Sequence, residues 1–108
     1  MNKLKINIGL LGLGYVGLPL LLTLSKKYKV VGFDTDKKRV NQIKKGIDKN
    51  NEFPKKQILN KKFKVSSDAN AIKSCNIYIV AVPTPLKNYK PDLRNLENAN
   101  TIISKFLK

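Results

Sequence analysis

Apolar and polar positions change rhythm along this chain, and each change marks an element. From Lys5 to Leu11 nearly every position is apolar, the pattern of a central parallel strand covered on both faces. A leucine-rich stretch from about Tyr15 to Lys27 predicts a helix. Pro19 falls close to its first turn, where a missing N–H costs little, and Lys26 and Lys27 suit its negative C-terminal end. Lys29 to Phe33 is a second apolar strand, ending on Asp34. Beyond it, Val40, Ile43 and Ile47 space one stripe of a second helix, with Asp36 as N-cap and Gly46 as its end. Asp48 to Asn60 is polar and lysine-rich, a loop with room for a short helix from Pro54 to Leu59. Phe63 to Ser66 is a short third strand, and Ser67 or Asp68 caps a brief helix through Ala71 and Ile72. Asn76 to Val82 alternates and is β-branched, which predicts a fourth strand beside the first, across a topological switch. Pro83-Thr84-Pro85 stops it. Leu86 to Pro91 reads as a loop, and Leu96, Ala99, Ile103 and Leu107 space the buried face of a last helix from about Asp92 to Leu107.

The first strand, helix and second strand form a β-α-β unit, and its first turn reads Gly12-Leu13-Gly14-Tyr15-Val16-Gly17. This is G-x-G-x-x-G with an acid, Asp34, about 20 residues on, and each part has a mechanical job in holding a dinucleotide. Gly12 lets the chain turn sharply out of the strand. Gly14 lets backbone approach a pyrophosphate, and Gly17 lets the helix lie close on the strand. The helix N-terminus offers unpaired N–H groups and partial positive charge to the phosphates. A carboxylate at Asp34 accepts from the adenine ribose hydroxyls and repels a 2′-phosphate, which favours NAD over NADP. The alternative is a tight β-α turn with no ligand.

Composition changes this picture little. The chain has 108 residues, 42% of them hydrophobic, and a net charge of +15. That is one small domain. The lysines scatter over loops and outer helix faces, without the basic face interleaved with aromatics that nucleic-acid binding wants, so no nucleic-acid partner is expected. The run from Ile6 to Leu24 lacks charge and mimics a signal peptide or membrane helix. Its four glycines and Pro19 argue for a buried strand and helix instead, and no membrane role is expected. The single cysteine, Cys75, excludes an internal disulfide and fits a reducing, cytoplasmic compartment. Without histidine, imidazole catalysis and histidine metal sites are excluded within these residues, and no metal is expected.

With the segments placed, the chain resembles the N-terminal domain of the UDP-glucose/GDP-mannose dehydrogenase family. The likeness runs through Gly12-Leu13-Gly14-Tyr15-Val16-Gly17-Leu18-Pro19, Gly32-Phe33-Asp34, Val82-Pro83-Thr84-Pro85 and Pro91-Asp92-Leu93, and covers essentially all of the chain. Gly46-x-Asp48-x-x-x-Glu52 looks like the branch that oxidises UDP-N-acetylhexosamines. The resemblance implies a Rossmann-type, doubly wound α/β sheet and an NAD-dependent oxidation of a UDP-sugar. The sugar C6 alcohol passes through an aldehyde and a thiohemiacetal to a carboxylate, using two NAD, for surface polysaccharide precursors. It implies a homo-oligomer. It implies cofactor contacts from Tyr15 and Val16 at the pyrophosphate turn, from Asp34 and Arg39 near the adenine ribose, and from Thr84 toward the nicotinamide. Read from the residues alone, Tyr15 also fits packing over the turn, Arg39 a solvated helix residue, Pro83 and Pro85 strand punctuation, and Glu52 a loop charge.

The resemblance also places the family's cysteine nucleophile, with its lysine, asparagine and aspartate neighbours, in a sugar-binding part beyond these residues. Cys75 precedes the fourth strand, at the end opposite the ligand crevice, and reads as a packing residue. No catalytic residue is expected here. Four strands, where a full dinucleotide domain wants about six, predict that residues 1–108 are a partial N-terminal NAD-binding domain of a longer protein. Two rivals share the β-α-β unit: a nucleotide-sensing regulatory module, and a dehydrogenase of the 3-hydroxyacyl-CoA or 6-phosphogluconate type. The VPTP and PDL stretches oppose the first and Tyr15 to Pro19 the second.

Overall fold

The computed structural model describes residues 5–48, 53–59 and 63–106. Four parallel strands form its sheet: β1 (Asn7–Leu11), β2 (Lys29–Phe33), β3 (Lys64–Ser66) and β4 (Ile77–Val80), in the order β3-β2-β1-β4. The chain grows outward from β1 through β2 to β3, then crosses back to lay β4 on the other side of β1. Ile8 stands in register with Val30 and with Ile77. The topological switch expected from the sequence therefore falls between β1 and β4.

Side chains alternate across the strands, and the two faces build separate cores. Ile8, Leu10 and Val30 point to one side, where α1 (Gly17–Leu24), α2 (Lys37–Lys44) and α3 (Lys55–Leu59) supply Leu18, Leu21, Leu22, Val40, Ile43 and Ile58. Leu11 and Phe33 point to the other, against Ile72 of a 3-10 turn (Ala69–Ile72) and Ala99 of α4 (Arg94–Phe106). Fully buried leucines such as Leu10, Leu13 and Leu21 each contribute about 1.5–3 kcal/mol of apolar transfer free energy. The second face is thinner. Leu96 and Ile103 stay half-buried beside Ala99, and the expected Leu107 lies outside the described residues.

Several boundaries differ from the sequence reading for local reasons. Helix α1 begins at Gly17, because Tyr15 and Val16 belong to the turn, and it stops at Leu24. Lys26 and Lys27 donate to the carbonyls of Thr23 and Leu24. These are i→i+3 bonds that tighten the end of the helix, so the lysines fall in the turn after it. Helix α2 starts as expected on Asp36, whose carboxylate accepts from the N–H groups of Lys38 and Arg39. It closes in a Schellman motif. Gly46 has φ +76° and donates to Ile43, while Ile47 donates to Gln42. That left-handed step takes Ile47 off the apolar stripe and leaves it 48% exposed. The expected loop from Leu86 to Pro91 is a small hairpin, β5 (Leu86–Lys87) and β6 (Lys90–Pro91), turned by Asn88 and Tyr89 at φ 52° and 64°. Glu52 lies outside the described residues. Among the described residues, no helix is long and apolar enough to cross a membrane.

Candidate functional site

The carboxyl ends of β1 and β2 meet the start of α1 in a turn fixed by its glycines. Gly12 donates from its N–H to the carbonyl of Phe33 at 2.8 Å and adopts φ +104°. A Cβ there would sit 2.5 Å from the Ala81 carbonyl oxygen, so side chains are excluded by both conformation and space. Gly17 is tighter still, since its Cβ would fall 1.7 Å from the carbonyl oxygen of Gly12. Helix α1 can start under the turn only if this residue has no side chain. Gly14 differs: a Cβ there would meet nothing within 4 Å. Nothing inside the protein demands a glycine at 14, and its bare face borders open space.

Two side chains of the β2–α2 segment hold the middle of this turn. The Asp34 carboxylate accepts from the Leu13 N–H through Oδ2 and from the Asp36 N–H through Oδ1, both at 2.9 Å. Arg39 donates from Nε to the Leu13 carbonyl at 2.7 Å. Its Nη1 lies 3.5 Å from Asp48 Oδ1 in a buried ion pair.

Above the turn is a cavity of about 440 Å³. Its floor is Leu11, Gly12, Leu13 and Gly14, one wall is Phe33, Asp34, Thr35, Asp36 and Arg39, and the other is Val82, Pro83 and the α4 residues Asn95, Asn98, Ala99 and Ile102; Tyr15 overhangs it. It opens at the switch point, where ligands of open α/β sheets sit. Of the residues singled out from the sequence, Gly12, Gly14, Tyr15, Asp34 and Arg39 border this cavity. Val16 is exposed beside it, Gly17 is buried beneath the turn, and Thr84 is exposed past the Pro83 rim. Arg39 is neither solvated nor loose, being only 6% exposed. The wall from α4 was missed by sequence reasoning. Asn95 donates from Nδ2 to the Pro83 carbonyl at 3.0 Å, a contact between residues twelve apart for which a polar helix position carries no local signal.

Chemistry elsewhere is sparse. Cys75 is half-buried at the opposite end of the sheet, where its neighbour Asn76 donates to the Asn7 carbonyl. Burial pushes its thiol pKa up, only partly offset by Lys29, which is the reverse of an activated nucleophile. Asp92 and Arg94 pair at the foot of the hairpin, and the guanidinium holds the Asp92 carboxyl below its usual range. Among the described residues, no cluster of three or more histidine, cysteine or acidic side chains is placed to hold a metal ion.

Residues 6–108 match the UDP-glucose/GDP-mannose dehydrogenase family, NAD binding domain. The chain is 42% identical over 105 residues to UDP-N-acetyl-D-glucosamine 6-dehydrogenase of Salmonella typhi, a match covering 95% of this chain and 25% of that protein. It is 39% identical over 108 residues to Protein CapL of Staphylococcus aureus, covering 99% of this chain and 25% of that one. The solved structure of UDP-D-ManNAc dehydrogenase from Pyrococcus horikoshii superposes with a TM-score of 0.82 at 32% identity, over 94% of this chain and 26% of that chain. The chain thus spans about a quarter of the length of the curated relatives it matches.

Proposed function

The chain belongs to the UDP-glucose/GDP-mannose dehydrogenase family, matching its NAD binding domain, and from that premise we propose that it is the cofactor-binding part of an NAD-dependent UDP-sugar 6-dehydrogenase. The observation that carries this reading is the bare Cα of Gly14, which has no internal reason to be glycine and borders the cavity at the switch point. A pyrophosphate laid there approaches the backbone directly and meets the first turn of α1, with its unpaired N–H groups and positive end. Gly12 and Gly17 shape the turn, and Tyr15 and Val16 flank it. Asp34 takes one backbone N–H on each oxygen and keeps lone pairs for the two hydroxyls of an adenine ribose. Its charge disfavours a 2′-phosphate. Arg39 forms the wall below that ribose, and Thr84 lies toward the nicotinamide end. Bound NAD supplies the hydride acceptor for oxidation at the sugar C6.

The substrate class is a UDP-N-acetylhexosamine, by similarity to the relatives named above. The product is a uronic acid for surface polysaccharide, made in the cytoplasm by a homo-oligomer in which residues 1–108 are part of the N-terminal NAD-binding domain. Cys75, with its raised pKa, takes no part in the chemistry. The test is NAD binding by the Gly14→Val variant. Its side chain enters open space, so the fold stays intact by circular dichroism while calorimetric NAD binding is lost. A folded variant that binds NAD like the parent contradicts the placement of the phosphates.

A further inference from the structure

We propose that Asp48 is a positioning residue for dinucleotide binding, acting through Arg39 on the carbonyl of Leu13 in the phosphate turn. The proposal rests on the reading of that turn given above. The peptide units on both sides of Leu13 are held from outside: the N–H before it by Asp34 Oδ2 at 2.9 Å, the carbonyl after it by Arg39 Nε at 2.7 Å. These bonds fix how Gly14 presents its backbone to the cavity. Arg39 in turn is fixed by Asp48. The side chains of the pair are 8% and 1% exposed, and Asp48 Oδ2 accepts from the Phe53 N–H at 3.1 Å. A line of contacts therefore runs from the segment after α2, through Asp48 and Arg39, to the turn.

The geometry of the guanidinium supports a positioning role. Nη2 is closed off from solvent and has no hydrogen-bond partner among the described residues. Arg39 borders the cavity, and the contact by which it holds the turn is the one from Nε. Burying an arginine with an incompletely satisfied fork is costly. Leucine or methionine would fill the same space without that cost, which points to a task for the fork itself.

The experiment follows amide resonances and NAD affinity together. In 1H–15N spectra of the ligand-free chain, Asp48→Asn shifts the Gly12 and Gly14 amides. It also weakens NAD binding by about tenfold or more while leaving the ratio of NAD to NADP affinity unchanged, because Asp34 still faces the ribose. Combining Asp48→Asn with Arg39→Lys weakens binding no further than Arg39→Lys alone, as two residues acting in one line require. Since Asp48→Asn leaves a buried arginine charge unpaired and can unfold the chain, the pair is also replaced by Arg39→Met with Asp48→Leu. That variant folds and shows the same amide shifts and the same loss of affinity. Unmoved Gly12 and Gly14 amides with parent affinity, in either folded variant, overturn the proposal. A parent that binds no NAD overturns the reading of the site instead, and the ligand-free spectra still decide whether Asp48 holds the turn.

Discussion

At the scale of single residues, the three glycines of the turn do different work, and substitution separates them. Gly17→Ala forces a methyl group to within 1.7 Å of the Gly12 carbonyl, so α1 must move off its strand. We expect a loss of about 3 kcal/mol or more, the upper range of overpacking costs, seen as a lower urea midpoint. Gly14→Ala meets nothing, and its midpoint stays at or slightly above the parent's because alanine has fewer unfolded conformations. Equal destabilisation by the two would mean that Gly14, like Gly17, is structural. The motif and Asp34 were legible in the sequence because each is a local chemical requirement. That Asp34 spends a lone pair on each of two backbone N–H groups was not, since those bonds exist only once β2 lies beside β1. Cys75 gives a residue-scale test of its own. With its pKa raised by burial, the thiol alkylates with iodoacetamide at pH 8 more slowly than free cysteine. The sign for stability follows: the folded state holds the thiol proton more tightly. The contribution is full below the unfolded pKa and is lost as pH rises through the raised folded pKa. Stability measured against Cys75→Ala therefore narrows in alkaline buffer, and a constant difference would contradict the shift.

At the scale of elements, the sequence located every strand of the main sheet: β1 and β2 as apolar runs, β4 by its alternation and β-branched residues. It failed where pattern is absent. The β5–β6 hairpin has two-residue strands and an Asn88-Tyr89 turn instead of the Asn-Gly that announces such a turn. Tyr89 holds φ 64° with its side chain 99% exposed, so it bears left-handed strain without packing in return. Tyr89→Gly should relieve about 1 kcal/mol of that strain, raising hydrogen-exchange protection of the Lys87 and Lys90 amides about fivefold. No gain in protection would mean that this turn is held from elsewhere. The end of α2 was half legible. Gly46 marks it, but only the 6→1 bond from Ile47 to Gln42 shows that Ile47 leaves the stripe.

At the scale of the whole molecule, the pieces converge on one opening. Strands carry the glycine turn, Asp34 and Val82 to the same end of the sheet, and α4 closes the far side with Asn95 and Asn98. The α4 wall was invisible in sequence because it depends on where the helix lands after β4. Only Ala99 of that helix is fully buried. The strongly basic chain nonetheless places two acids, Asp34 and Asp36, on this cavity. Asp34 is proposed to select an unphosphorylated adenine ribose in this cavity. The most direct measurement is a calorimetric titration of the chain with NAD and then with NADP under identical salt. NAD is expected to bind at least tenfold more tightly, about 1.4 kcal/mol. NADP binding as tightly as NAD would contradict it.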